Sequence, residues 1–178
     1  DSTVSVDAQA LYDRFLPLLH DQAHILDAGC GSGRDSLAFL KAGFTVTAFD
    51  GSRSMAARAT CLTGLDVKHA LFLDYSPEVK FDAIWACASL LHVPLQNLPV
   101  TFSHLGNLLK SGGLFYCSFK LGFGEEERGG RHFTHLDEKG LEKILAKSDL
   151  NMARTWVTRD LRPDRENEYW LNAILKKA

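Results

Sequence analysis

Two kinds of apolar pattern alternate along the chain. The first is a short, nearly unbroken apolar run: His24–Ala28, Thr45–Phe49 and Phe81–Ala88. Such runs predict strands buried on both faces. The second recurs every three or four residues. From Val6 to His20, Ala8, Leu11, Tyr12, Phe15, Leu18 and Leu19 share one face, which predicts a helix that Pro17 bends or ends. Further helices are predicted through Leu37, Ala38 and Leu40, from an N-cap at Ser52 through Met55, Ala56 and Ala59, over Pro94–Leu109, and over Thr134–Lys147. Lys110-Ser111-Gly112-Gly113 supplies the stop for the third of these. Asp66–Leu71, Leu114–Phe119, Ser148–Thr158 and Glu168–Leu175 complete the predicted strands. Strands alternating with helices predict a doubly wound α/β sheet in a single domain over residues 1–178.

The most informative stretch joins the first two of these strands. His24-Ile25-Leu26-Asp27-Ala28 runs into Gly29-Cys30-Gly31-Ser32-Gly33, then Arg34-Asp35 opens a helix, and the second strand ends on Asp50. Glycines at such a turn let the main chain bend sharply and lie bare against a ligand. An acid at the end of the second strand can accept from two adjacent ribose hydroxyls. The dinucleotide fingerprint is G-x-G-x-x-G, whereas this chain spaces its glycines at every second position behind an acid, Asp27. A carboxylate at the turn suits a cationic, amine-bearing ligand and disfavours a pyrophosphate or a nicotinamide oxidoreductase.

This stretch closely resembles motif I of the class I S-adenosylmethionine-dependent methyltransferases. The resemblance implies a mostly parallel, seven-stranded Rossmann-like sheet with an antiparallel C-terminal hairpin. It implies S-adenosyl-L-methionine as cofactor, with S-adenosyl-L-homocysteine as product. The methionine part would lie over Gly29, Cys30, Gly31, Gly33 and Arg34, with Asp27 beneath, and Asp50, Gly51 and Ser52 would hold the ribose. Leu73, Asp74 and Tyr75 stand where the family packs the adenine and accepts its amino group, although Asp74 reads equally as a turn cap. Ala86 and Ala88 would lie beside the sulfonium. The N-terminal helix, residues 7–20, covers the cofactor side in the family, while Tyr12 and Phe15 also suit plain packing on the sheet. Leu108 to Leu114 is similar to the family's leucine-lysine-proline-glycine-glycine phrase, with Ser111 in the proline position. The chain looks most like the small, single-domain members grouped with tellurite-resistance and quinone-biosynthesis methyltransferases.

Composition narrows the acceptor. A net charge of −2 provides no basic excess for a nucleic-acid backbone. Ala88-Ser89-Leu90-Leu91 stands where the amino-methylating DNA enzymes carry their Asn/Asp-Pro-Pro-aromatic signature. A small-molecule acceptor is therefore expected, with no nucleic acid or membrane as partner, and a monomer or weak homodimer. No apolar run approaches the ~20 residues of a membrane helix. Cys30, Cys61, Cys87 and Cys117 fit no zinc spacing, so no metal is expected, and they read as reduced thiols of a cytoplasmic protein.

Methyl transfer is an in-line displacement that needs alignment and desolvation above all. A soft anion as nucleophile needs no base. A hydroxyl or ammonium nucleophile does, and His92 and His132 are the candidates, although His92 reads equally as a structural histidine. The glycine-rich, charged segment 120–135 is expected to be a loop on the substrate side. With the Arg159–Asn167 loop it would bring Lys120, Arg128, Arg131, His132 and Arg162 toward an anionic acceptor. Glu125, Glu126 and Glu127 offer the opposite outcome, a salt-bridged surface loop. The rival function is a non-catalytic S-adenosylmethionine-binding regulatory module.

Overall fold

The two central strands explain the architecture. β4 (Phe81–Ala86) and β5 (Leu109–Leu121) alternate their side chains between two apolar layers. Ile84, Ala86, Phe115, Cys117 and Phe119 face one layer, and Ala83, Trp85 and Tyr116 face the other. Strand periodicity of two makes this division automatic, so a strand apolar at every position must be covered on both faces. The computed structural model describes residues 7–160, 162, 165 and 167–178. Val6, the first residue of the expected N-terminal helix, lies outside the described residues, as do positions 161, 163, 164 and 166 of the Arg159–Asn167 loop.

The other elements are β1 (His24–Ala28), β2 (Thr45–Asp50), β3 (Lys68–His69), β6 (Gly124–Arg128), β7 (Arg131–Leu136), β8 (Leu150–Arg159) and β9 (Tyr169–Lys177). The helices are α1 (Gln9–Phe15), α2 (Arg34–Lys41), α3 (Arg53–Thr63), α4 (Leu98–Asn107) and α5 (Glu138–Leu145). The strand order is β3-β2-β1-β4-β5-β7-β6, and β9 pairs antiparallel with both β5 and β8. The described residues thus form a mostly parallel α/β sheet closed by antiparallel C-terminal strands, as expected.

The strand count differs: nine strands among the described residues, where seven were expected. The surplus comes from segment 120–135, which is a β-hairpin rather than a loop. Arg128 pairs with Arg131 across Gly129-Gly130, whose φ angles are +59° and +70°. A two-residue hairpin turn requires this left-handed pair, and two glycines supply it. The hairpin consumes Thr134–Leu136, so the helix expected from Thr134 starts only at Glu138, where Asp137 accepts the Gly140 N–H at 2.7 Å. The predicted third strand shrinks to Lys68–His69. Pro17 does end α1, in a 3₁₀ turn over Leu16–Leu18. The helix expected over Pro94–Leu109 begins at Leu98, with Pro99 in its first turn, and Leu109 already belongs to β5.

The glycine turn is held by packing at two of its three glycines. A Cβ on Gly29 would come within 2.6 Å of Ser89 Cβ, and one on Gly33 within 3.0 Å of Ala59 Cα on α3. Gly33 therefore lets α2 and α3 approach each other. Gly33→Ala should destabilise the fold by about 1–3 kcal/mol, the cost of a side chain forced into a left-handed, crowded position. Urea denaturation measures it, and an unchanged midpoint would show that α3 can yield.

Candidate active site

The cavity lies at the C-terminal ends of the parallel strands, where ligands of open α/β sheets bind. Its volume is about 800 Å³. The strand order lays out its wall: Asp74 lies just past β3, Asp50 ends β2, Gly29–Ser32 follow β1, Cys87–Ser89 and His92 follow β4, and Arg131 and His132 start β7.

Asp50 has a double role. Its Oδ2 accepts the Gly31 N–H at 2.8 Å and its Oδ1 accepts the Ser52 N–H at 2.7 Å. The acid thus pins the glycine turn to the start of α3 while lining the cavity. Gly31 sits at φ +56°, and a Cβ there would meet no protein atom within 4 Å. Bare main chain therefore faces the cavity at that position. Asp74 is exposed on the turn after β3, and its carboxylate accepts no hydrogen bond from any described residue. The turn is closed instead by the Asp74 and Tyr75 N–H groups donating to Leu71 O, which removes the turn-cap reading of its side chain. An open cradle at Gly31 and two carboxylates with acceptor capacity match the hydroxyl and amino donors of S-adenosylmethionine.

Beneath this wall lies a buried polar knot. Asp35 Oδ1 accepts from Tyr12 Oη at 2.5 Å and from Arg34 Nε at 2.6 Å, and its Oδ2 accepts from Trp85 Nε1 at 2.8 Å. Tyr12 and Phe15 are buried and pack against Trp85, so they follow the packing reading. Asp27 is also buried and accepts the Ser36 hydroxyl at 2.5 Å. Burial first, and then the neighbouring Asp35, pushes its carboxyl up to about 8.

Not every expected contact residue reaches the cavity. Gly29, Cys30, Gly31, Arg34, Asp50, Gly51, Ser52, Leu73, Asp74 and Ala88 line it. Asp27 and Gly33 sit behind the wall, Ala86 is fully buried in the core, and Tyr75 stacks on Phe49 at 4.3 Å. These four support the wall rather than form it: strand alternation turns Asp27 and Ala86 inward, Gly33 packs against α3, and the Phe49 stack holds Tyr75. Ala88 lines the cavity in a left-handed conformation, φ +50°, held by its N–H donating to Ser118 Oγ at 2.8 Å.

At the β4–β7 end, His92, Arg131 and His132 all reach the cavity. His92 Nδ1 lies 2.7 Å from His132 O, and its ring meets Phe133 edge-on at 4.9 Å. Desolvation lowers its pKa below the ordinary 6.5, although more than a third of its surface stays open. His132 has both ring nitrogens engaged: Nδ1 with Glu127 at 3.0 Å, and Nε2 with Glu125 at 3.1 Å and Thr134 Oγ1 at 3.2 Å. That leaves it a strut of the hairpin rather than a base.

Lys120, Arg128 and Arg162 do not line the cavity. Lys120 is buried, paired with Asp160 at 2.6 Å and with Glu168, and lies 4.4 Å from the Trp170 ring centre. Arg162 grips Asp160, and Arg128 and Arg165 reach Glu168. Burial would raise the Asp160 pKa, but hydrogen bonds from Arg162 and Lys120 hold it well below the carboxylate range. Residues without a role in the sequence reading also line the cavity: Asp35, Phe72, Val93, Pro94, Asn97 and Thr101. Phe72 was discoverable as the neighbour of Leu73, whereas Asn97 and Thr101 carried no local signal.

The sheet and this strand-end cavity define a Rossmann-like methyltransferase. A family described as a methyltransferase domain matches residues 1–155. The chain belongs to that family, and with its glycine turn and Asp50 it is a class I S-adenosylmethionine-dependent methyltransferase, an enzyme. No curated protein matches it. Among solved structures it is similar to 1,6-didemethyltoxoflavin-N1-methyltransferase of Burkholderia thailandensis, crystallised with 1,6-didemethyltoxoflavin and S-adenosylhomocysteine. The TM-score is 0.79 at 23% identity, over 100% of this chain and 80% of that one. It is also similar to magnesium protoporphyrin IX methyltransferase of Synechocystis with bound S-adenosylmethionine, at TM-score 0.71 and 21% identity, over 96% and 76% of the two chains. A third is an N-methyltransferase of Bradyrhizobium japonicum, at TM-score 0.70 and 16% identity, over 95% of each chain. At these identities the likeness is one of fold.

The raised Asp27 pKa has a signed consequence. Below the ordinary value of 3.8, folded and unfolded chains both hold its proton; from there to about 8 only the folded chain does. Stability therefore falls as pH rises through that window. Asp27→Asn keeps an acceptor for Ser36 and removes the titration. Its urea midpoint should fall less between pH 5 and pH 8 than that of the wild type; parallel pH profiles would count against a protonated Asp27.

Proposed function

We propose that the enzyme transfers the methyl group to a small-molecule nucleophile by in-line displacement. One observation carries this: a single cavity has carboxylates, Asp74 and Asp50, at its β3–β2 end and a histidine and a guanidinium, His92 and Arg131, at its β4–β7 end. Its volume lies in the range of small-ligand sites. S-adenosylmethionine supplies, when bound, an electrophilic methyl group on a sulfonium. Asp50 would accept from the ribose hydroxyls, Asp74 from the adenine amino group, and the main chain at Gly31 would pass under the methionine part. Small side chains at Cys87 and Ala88 leave room between the two ends. The solved neighbours named for toxoflavin and porphyrin precursors support a small acceptor.

The finer placement, among the small, single-domain members grouped with tellurite-resistance and quinone-biosynthesis methyltransferases, is supported by the motif resemblance and by one sheet carrying the whole cavity. A cytoplasmic location is supported by four cysteines without a disulfide; no described helix is long and apolar enough to cross a membrane.

Calorimetry tests the cofactor end. Asp50→Ala should lose about 1.5–3 kcal/mol of S-adenosylmethionine affinity, the scale of hydrogen bonds to a charged group. Asp74→Ala should weaken binding more than Asp74→Asn, since the amide keeps an acceptor. Affinity unchanged in all three would remove both acids from the site. A screen of thiols, amines, phenols and oxyanions for S-adenosylhomocysteine release tests the acceptor, and silence throughout would count against a small molecule.

A further inference from the structure

The β6–β7 hairpin decides which of its charges reach the cavity. Glu125 Oε1 accepts the Leu95 N–H at 2.6 Å, and Thr134 Oγ1 donates to Val93 O at 2.8 Å, so the hairpin is fastened to the segment that follows His92. Glu125 and Glu127 are engaged by His132, and Glu126 by His135 at 3.1 Å. The three glutamates are thus spent on the hairpin and its anchor. Arg34, Arg128, Arg162 and Arg165 each have a carboxylate partner. Arg131, on the cavity wall, has none within 4.0 Å among the described residues.

The same hairpin sets the proton on His92. A carbonyl oxygen only accepts, so the 2.7 Å contact with His132 O requires Nδ1 to carry the hydrogen. In the neutral ring Nε2 then holds the lone pair. Desolvation, the largest effect, acts with the charges of Arg131 and His132 on β7 against the imidazolium; together they outweigh the His132 carbonyl and Asp50 at the end of β2, which favour it, and hold the pKa below the ordinary 6.5. A neutral imidazole with a bare Nε2 is a general base, and a thiolate acceptor would have no use for it.

Building on the proposed small-molecule reading, we propose that the acceptor is an organic acid bearing its nucleophile as a neutral O–H or N–H. Arg131 takes the carboxylate through its planar guanidinium. His92 Nε2 takes the proton as the oxygen or nitrogen bonds the methyl carbon. The carbon–sulfur pair stays on sulfur, and water later receives the proton from the imidazolium. Glu125 is a positioning residue, acting through the hairpin on both groups.

The probes are salicylate, 4-hydroxybenzoate and anthranilate, the methyl ester of each, and thiophenol. In the wild type the acids should release S-adenosylhomocysteine with kcat/KM at least tenfold above their esters, rising with pH through a pKa below 6.5. Arg131→Ala should erase that tenfold gap and leave S-adenosylmethionine affinity within about threefold. His92→Gln should lower kcat for the hydroxy acids by about 100-fold, the lower range of general-base contributions, with acid binding unchanged by calorimetry. Glu125→Ala should raise KM for the acids at constant cofactor affinity. Independently of turnover, nitrogen-15 NMR of the S-adenosylhomocysteine complex at pH 7 should find the His92 proton on Nδ1. A proton on Nε2, esters equal to acids, or thiophenol faster than every acid and insensitive to His92→Gln would overturn the proposal. Turnover of thiophenol or the esters alone would end it yet leave small-molecule transfer standing. Cofactor binding with no probe bound or methylated would end both.

Discussion

A buried carboxylate must be satisfied by donors, and Asp35 meets that demand by drawing three elements together. Tyr12 comes from α1, Arg34 from α2 beside it, and Trp85 from β4. The consequences spread from this point. Trp85 stacks on Tyr116 at 3.9 Å, which ties the floor of the cavity to β5. Phe15 and Phe39 close around the same indole. Burial, and then the neighbouring Asp35, push the Asp27 carboxyl up to about 8 in the same place. The glycine turn then runs over a floor that cannot shift without exposing an unpaired charge.

The far end of the cavity is built on the opposite principle. The hairpin stands on a root of oppositely charged groups around Lys120, Asp160 and Glu168, with Trp170 beside them. That root absorbs the cations of the C-terminal loop. Of the cavity-lining bases, Arg34 is paired with Asp35 and His132 with Glu125 and Glu127, which leaves Arg131 and His92 without a carboxylate partner among the described residues. The hairpin therefore joins two tasks, closing the β4–β7 end of the cavity and orienting His92 through a main-chain carbonyl.

Much of this was legible in local patterns. The strand–glycine–helix–strand–acid order placed Gly31 and Asp50 on the cavity wall, because turn geometry and strand polarity are short-range consequences of sequence. The same reasoning overreached at Asp27, Gly33, Tyr75 and Ala86, none of which lines the cavity. A motif marks a neighbourhood, and strand alternation decides the face. The Gly129-Gly130 turn was a hairpin signal hidden among charges. Density of charge made segment 120–135 read as a loop, whereas the left-handed Gly129-Gly130 turn paired its flanks as two strands.

The sequence by itself determined the order of elements, the parallel core and the glycine-turn wall of the cavity, since each depends on residues within a few positions of one another. The tertiary structure alone decided the β4–β7 end of the cavity. Whether Lys120 or Arg131 faces the cavity depends on which carboxylates come near, and Asp160 and Glu168 lie 40 and 48 positions along the chain from Lys120. His92 and His132, 40 positions apart, acquire their different surroundings only when the ring of one engages three hairpin neighbours and the other meets a carbonyl. Charge pairing is set by distance in space, and no local pattern encodes it.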